Sequence, residues 1–530
     1  MSSESFRAGS PRTLSQNRVR GVAALLLVAA CFYGVFIARS AFNVHGRLYF
    51  TLIDDAMISM RYAQHLATGN GLVWNIGEKP IQGFTSPAWM LLMALPHVFR
   101  LPSSYTSLPV MVASGLMLLA LAVVVYRICI RMSPRTNLAP LMACGITLFY
   151  FPLVFWSLRG MEVGLLTLLV STASLATLSL GDTHRARAPM VIGALLLLAI
   201  ATRLDAAAQV LVIVIYIVTR RNADTKRRLI PVAIAALAVI GILFAQRMYF
   251  GNALPNTYYQ KVLGASAWAR IRNGLLVFSQ YALRDTLTLT LLSAGAAVLY
   301  KELRSPETAL LAALFLVQCA YSVWVGGDYA EPEVQAANRF ITQGMPPLII
   351  LFSLGADRFL TDRKAVQDSV LIPRPAGISL GIAAIVLLVV SGRPWMNWVL
   401  ENAPLRQADI RRARAGVAIA ESTSPDATIA VHAAGQIPYY SNRRTIDLLG
   451  LNDASIARGP LAGPFYPGHD KWNYDYSITQ LKPDLIADNW IRLADYMRDK
   501  ADYKQLDNGM YVRQDTTLVN VPALLQAFPK

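Results

Sequence analysis

Long apolar stretches broken by short polar connections fill the chain from residue 21 to residue 395. Several exceed the roughly 18 apolar residues that mark a membrane-crossing helix. The pattern predicts about eleven spans, at 21–42, 106–126, 138–156, 162–180, 189–202, 206–219, 229–247, 286–300, 308–325, 343–360 and 376–394. The pair 189–202 and 206–219 is split at Thr202-Arg203-Leu204-Asp205, because unpaired charges are costly at mid-membrane. The stretch 21–38 follows a basic segment as a signal peptide does, but its length and the later spans make it an uncleaved first helix.

Two regions depart from this pattern. In the loop 43–103, Thr51 and Asp54 have capping-box spacing, predicting a helix over 54–67 that Gly69-Asn70-Gly71 ends. Residues 72–75 read as extended, and Ser86-Pro87 opens a helix to about residue 100 that lies along or dips into the membrane interface. After Trp395 the chain turns polar, with a helix predicted over 404–421, strands over 428–432, 445–449 and 484–487, and a helix over 474–481. The fold class is therefore a polytopic α-helical membrane protein with a small C-terminal α/β domain. Residues 1–20 form a cytoplasmic tail, 21–395 the transmembrane module and 396–530 the α/β domain.

Charge fixes the expected sidedness. The chain carries a net +17. With the N-terminus inside, the cytoplasmic loops hold the basic clusters Arg127/Arg131/Arg135, Arg185/Arg187, Arg220/Arg221/Lys226/Arg227/Arg228, Lys301/Arg304 and Arg358/Arg363/Lys364/Arg374, as the positive-inside rule requires. The same excess favours anionic membrane lipids as neighbours. No basic run is interleaved with aromatics in a soluble module, so no nucleic-acid partner is expected. By parity the α/β domain is extracytoplasmic. The four cysteines, Cys31, Cys129, Cys144 and Cys319, lie in or beside apolar segments, so neither a disulfide framework nor a cysteine zinc site is readable.

The opposite loops gather the mixed polar residues: Asp54 and Asp55; Arg61, Tyr62 and His65; Arg159 and Glu162; Arg203 and Asp205; Asn256, Tyr258, Tyr259 and Lys261; Asp328 and Arg339. Carboxylates can take a proton from an acceptor hydroxyl or hold a divalent cation, and cations can hold a phosphate. Together at a lipid–water boundary they suit transfer from a phospholipid-linked donor. Each also has a plain structural reading. The helix dipole favours Asp54-Asp55 in a first turn. Arg61 and His65 fit a solvated helix face, and Arg159/Glu162 and Arg203/Asp205 fit ion pairs at helix ends. Gly326-Gly327-Asp328-Tyr329 fits a turn, Tyr258-Tyr259 an interfacial aromatic belt, and His469-Asp470 a loop cap. Shared placement on one membrane face favours the site.

Five stretches resemble the GT-C membrane glycosyltransferases: IDDAMISMRYAQHLATGNGLVWNIGEKPIQGFTSPAW (53–89), SLRGMEVGLL (157–166), TRLDAA (202–207), FGNALPNTYYQK (250–261) and VGGDYAEPEVQAANRF (325–340). Their order resembles the branch of terminal β-arabinofuranosyltransferases, with departures at Arg159, where that family commonly has a small residue, and at Leu204, where it has proline. The resemblance covers most of 21–395 and, more loosely, the α/β domain. It implies a bacterial inner-membrane enzyme that moves one sugar, arabinofuranose in that branch, from a polyprenyl-phosphate donor to a glycan, lipid or protein acceptor with inversion. Asp54 or Asp55 would be the catalytic base, with Asp54 favoured. Arg61, Lys261 and Arg339 would meet the donor phosphate. Tyr62, His65, Arg159, Glu162, Arg203, Asp205, Asn256, Tyr258, Tyr259, Asp328 and His469 would contact substrate. The need for a metal is left open: adjacent Asp54 and Asp55 permit a divalent metal (magnesium, manganese or calcium), but no ligand spacing demands one. The competing classes are a secondary transporter, which would need ionisable groups on broken helices in repeated halves, a non-catalytic scaffold, and an oligosaccharyl- or single-sugar transferase acting on protein.

Overall fold

A computed structural model gives the fold, describing residues 11–133, 138–180, 187–220, 225–328, 338–361 and 404–529 with Trp395 and Trp398. The span predicted over 376–394 lies outside the described residues.

Among the described residues, Val19–Arg39, Ser107–Met132, Arg228–Phe250 and Pro306–Val325 are long and apolar enough to cross a membrane. Leu138–Phe149 and Phe151–Leu158 form a fifth crossing if taken as one span broken by a 47° bend. Pro152 sits in the first turn of the second piece, where it lacks the N–H that would extend the first helix's ladder. Pro87–Val98, Val163–Leu178, Ala188–Thr202 and Leu204–Thr219 are shorter apolar helices. The even series of spans in the sequence thus becomes a mixture of full-length, broken and short helices. Extended Arg203 (φ −151°, ψ 132°) separates Ala188–Thr202 from the 3-10 turn Leu204–Ala206, so the charged break does interrupt the helix.

The helix Asp54–Ala67 occupies the predicted range, but its start differs. Ile53 precedes it without a side-chain cap, and the Thr51 hydroxyl donates to the Leu52 carbonyl at 3.3 Å. The capping box therefore does not form. Nor is the far side of this helix solvated: Arg61, Tyr62 and His65 are all buried. A short hairpin, β1 (Phe42–Val44) and β2 (Arg47–Tyr49), leads into it.

The residues after Pro404 build a five-stranded sheet in the order β4-β3-β5-β7-β6. Strands β3 (Thr428–Val431), β4 (Arg444–Asp447) and β5 (Leu485–Ile486) are parallel. Strands β6 (Tyr503–Gln505) and β7 (Tyr511–Arg513) add an antiparallel hairpin that the hydrophobic pattern does not single out. Alternation with period two sorts the strand residues. Ile429, Val431, Leu485 and Val512 join one core that continues through the apolar helices, whereas Ala430, Ile446, Ile486 and Tyr511 pack a separate cluster on the other face. The sheet domain is therefore fused to the helical body through a common core.

Candidate functional site

Polar side chains from the two parts meet along that fused boundary, and many of them serve to hold it together. Arg61 donates through Nε to the Trp74 carbonyl at 2.9 Å, through Nη1 to the Pro438 carbonyl at 2.5 Å, and through Nη2 to Asn75 Oδ1 at 3.1 Å and the Arg443 carbonyl at 2.8 Å. The Tyr62 hydroxyl meets the Ile81 carbonyl and Asn452, and His65 Nδ1 meets the Val73 carbonyl. Burial and nearby Arg61 pull the His65 pKa down to about 4, keeping the ring neutral. Asn256 donates to the carbonyls of Gly450, Leu451 and Asp453. Arg159, fully buried, donates to Asp409 Oδ2 at 2.7 Å and to the Thr51 carbonyl at 2.9 Å. A buried charge needs such partners, since an unpaired one costs several kcal/mol. None of these five lines either of the cavities described next; their polar atoms hold the two parts of the chain together.

The first cavity, about 350 Å³, lies between the start of helix Asp54–Ala67 and the sheet domain. Asp54, Asp55, Lys261 and His469 line it, together with Arg412, His432, Tyr466 and Trp490. The adjacent carboxylates point to different partners, as a rotation of about 100° per helical residue requires. Asp54 Oδ1 accepts from the amides of Gly435 at 3.1 Å and Gln436 at 3.0 Å. Asp55 Oδ2 accepts from Arg339 Nη1 at 2.9 Å. Their acidities divide accordingly. Burial, helped by Asp55 and Asp409, pushes Asp54 up to about 7 against the pull of Arg412. Burial raises Asp55 as well, but Arg339 and Lys261 outweigh it and hold that carboxyl below its usual range.

The second cavity is a more apolar cleft of about 290 Å³ among the membrane helices, walled by Leu204, Leu254, Val262, Trp324, Val325 and Phe340. Its charged residues are Lys261, Arg203, Asp205, Asp328 and Arg339, and Tyr258 also borders it. Arg203 is already neutralised, gripping Asp205 with two bonds of 2.7 Å and Glu162 with one of 2.5 Å. Glu162 stands behind Arg203, outside the cleft lining. Arg339 Nε lies 3.1 Å from Asp328 Oδ2. Tyr259 points elsewhere: its ring receives Arg458, and its carbonyl accepts from Lys471 at 2.9 Å. Lys261 and Pro467 line both cavities. Burial and Arg339 pull the Lys261 ammonium below its usual range, against Asp55 and Asp328. Among the described residues that ammonium makes no hydrogen bond or ion pair.

This architecture is shared with solved membrane enzymes. ArnT from Cupriavidus metallidurans, bound to undecaprenyl phosphate, superimposes with a TM-score of 0.52 at 14% identity, over 80% of this chain and 85% of that one. The oligosaccharyltransferase AglB from Archaeoglobus fulgidus, in complex with an inhibitory peptide and a dolichol-phosphate, gives 0.53 at 11% identity, over 80% of this chain and 64% of that one. At such identities the likeness establishes the fold, that of a polytopic helical membrane protein. A family model described as a domain of unknown function (DUF8728) matches residues 402–519. No curated protein matches the chain.

The sequence motifs did not mark Arg412, His432, Trp490 or Tyr466, nor Asp409 behind them. All belong to the sheet domain, where His432 follows β3 and Trp490 lies beyond β5; the strand pattern marks the strands but not which residues past their ends face the cavity. Among the described residues, no three His, Cys, Asp or Glu side chains converge as metal ligands. Asp54 is committed to backbone amides and Asp55 to an arginine, so the pair does not present the converging oxygens that a hard cation takes.

Proposed function

We propose that this chain is a glycosyltransferase that moves a single sugar from a polyprenyl-phosphate carrier to a hydroxyl of an envelope glycan, glycolipid or protein, with inversion. The observation that carries the reading is Lys261, which lines both the apolar cleft and the carboxylate-lined cavity and whose ammonium makes no hydrogen bond or ion pair among the described residues. An isoprenoid tail fits the cleft, its phosphate meets Lys261 and Arg339, and its sugar projects toward Asp54. The shared fold with structures that hold undecaprenyl phosphate and dolichol-phosphate supports that placement.

In this scheme the acceptor hydroxyl loses its proton to Asp54 as its oxygen attacks the anomeric carbon. The bond from that carbon to the phosphate oxygen breaks on the opposite face, and its electron pair leaves with the lipid phosphate. A carboxylate with a pKa about 7 is well matched to taking a proton near neutral pH. The leaving phosphate gains negative charge, which Lys261 and Arg339 stabilise from fixed positions in a poorly solvated site. Asp55 holds Arg339 in place. Arabinofuranose as the sugar rests on the order of the five sequence motifs. The extracytoplasmic location of the cavity, with the N-terminus on the cytoplasmic side of the inner membrane, rests on the distribution of basic loops.

Proteoliposomes holding the purified chain, polyprenyl-phosphate arabinofuranose or hexose, and envelope extract test the reading. The expected result is transfer of sugar with release of polyprenyl phosphate, lost in Asp54→Asn. Solute uptake without donor consumption would instead favour a transporter.

A further inference from the structure

In the sheet domain, β3 comes first in sequence but lies between the other two parallel strands, with β4 on one side and β5 on the other. The winding therefore reverses at the β3–β5 boundary. In open α/β sheets the crevice beyond the carboxyl ends of such a strand pair is where ligands bind. Here that crevice opens into the polar cavity. His432 follows Val431 at the end of β3, and Asp488 and Trp490 follow Ile486 at the end of β5. His432 and Trp490 line the same cavity as Asp54.

These groups are fixed with care. His432 Nδ1 lies 3.0 Å from Asp488 Oδ1, and Nε2 lies 2.9 Å from the Tyr474 hydroxyl. Asp488 also accepts from the amides of His432 at 2.7 Å and Ala433 at 2.9 Å. Rings line up along the wall, with centroids 5.3 Å apart for Tyr466 and His469, and 6.1 Å apart for His469 and Trp490. Directly after Trp490 come two non-glycine residues in the left-handed region, Ile491 (φ 47°) and Arg492 (φ 57°). For a β-branched residue this is an outlier, and such strain gathers at ligand sites. Tyr474, the residue that meets His432, donates to the Ile491 carbonyl at 2.7 Å and so holds the strained turn.

We propose that this crevice is the acceptor subsite and that it takes a sugar residue. The apolar C–H face of the ring packs along Tyr466, His469 and Trp490, as aromatic side chains with polar neighbours favour. Its hydroxyls turn to the polar wall, where Arg412 and Asp54 line the cavity, and one of them is directed at Asp54. A cavity of about 350 Å³ admits a compact ligand. The proposal rests on the glycosyl-transfer reading and narrows its acceptor to carbohydrate.

The full chain in lipid nanodiscs, labelled with 5-fluorotryptophan, provides the test. Its nine tryptophans give separate fluorine signals, and Trp490 is assigned by its loss in Trp490→Phe. The probes are methyl α-arabinofuranoside, methyl β-glucopyranoside, methyl α-mannopyranoside and an uncharged tetrapeptide amide. At least one glycoside is expected to shift the Trp490 signal and the peptide is not. Arg412→Gln weakens that response about tenfold, the effect of one lost hydrogen bond. As a second measurement that does not need the tryptophan variant to fold, His469→Gln raises the KM for a saccharide acceptor several-fold more than it raises the KM for the polyprenyl-phosphate donor. A Trp490 signal that no glycoside moves, or that the peptide alone moves, overturns the subsite. Donor turnover with a silent Trp490 removes the subsite and leaves the transferase standing; glycoside binding without donor turnover does the reverse.

Discussion

Arg339 Nη1 donates to Asp55 Oδ2 at 2.9 Å, tying a residue of the apolar cleft to one of the polar cavity across 284 positions of sequence. Arg339 is also flanked by Asp328 at 3.1 Å. Asp55 therefore acts as an anchor for a phosphate-facing guanidinium, while the base role falls to its neighbour. Asp55→Asn is expected to lower stability by about 1–3 kcal/mol, the cost of weakening a charged hydrogen bond to a buried group. It also raises the donor KM. The acid limb set by Asp54 remains but moves below 7, because the neighbouring negative charge no longer helps hold the Asp54 proton. Thermal unfolding and a pH profile of kcat/KM check this together.

Asp54 is expected to control that acid limb. As a base it works only when ionised, and its pKa is about 7, so kcat/KM falls tenfold per pH unit below that value. Asp54→Asn removes the limb and lowers transfer by about 10²–10⁴-fold. The asparagine oxygen can still accept from the Gly435 and Gln436 amides, so domain docking survives. The linkage sign is opposite to that of a salt-bridged carboxylate. The folded state binds this proton more tightly than the unfolded chain does. The Asp54 contribution to stability is therefore greatest at acid pH and declines as pH rises from the ordinary carboxylate range to about 7.

Gly435 faces Asp54 so closely that a Cβ there would lie 1.9 Å from the Asp54 backbone carbonyl oxygen. No rotamer relieves a clash with backbone. Gly435→Ala is expected to push the sheet domain off the helix Asp54–Ala67 and abolish transfer. Limited proteolysis should show faster degradation of the sheet domain than in the parent protein.

Arg61 gives the contrasting prediction. It is buried and bonded to the Trp74, Pro438 and Arg443 carbonyls and the Asn75 side chain. Arg61→Ala leaves those acceptors unpaired and costs roughly 3 kcal/mol or more of stability. Donor KM, measured on the protein that still folds, is expected to be unchanged. A selective rise in donor KM at full stability would return Arg61 to the phosphate site.

The sequence showed the helix Asp54–Ala67 well, because two first-turn acids and a Gly-Asn-Gly stop frame it. The loops bearing Lys261, Asp328 and Arg339 were legible as one polar face, and these residues do converge. What Arg61 and Asn256 bond to could not be read, because the partners are backbone carbonyls 377 and about 195 positions away that leave no compositional trace. Trp490 escaped for another reason: it lies beyond β5, and the strand pattern over 484–487 does not say that the end of that strand faces Asp54. Hydropathy counted apolar residues but not the backbone break between Phe149 and Phe151, so broken and short helices looked like uniform spans.

The claim on which the account turns is that a lipid phosphate sits at Lys261, where the cleft meets the cavity. A cryo-EM map of the full chain in nanodiscs with a non-hydrolysable polyprenyl-phosphonate sugar measures it directly. The account predicts phosphonate density within hydrogen-bond reach of Lys261 Nζ, with the isoprenoid running past Phe340 and Trp324, and loss of that density in Lys261→Met. Lipid density seated elsewhere, or binding unchanged in Lys261→Met, would contradict it.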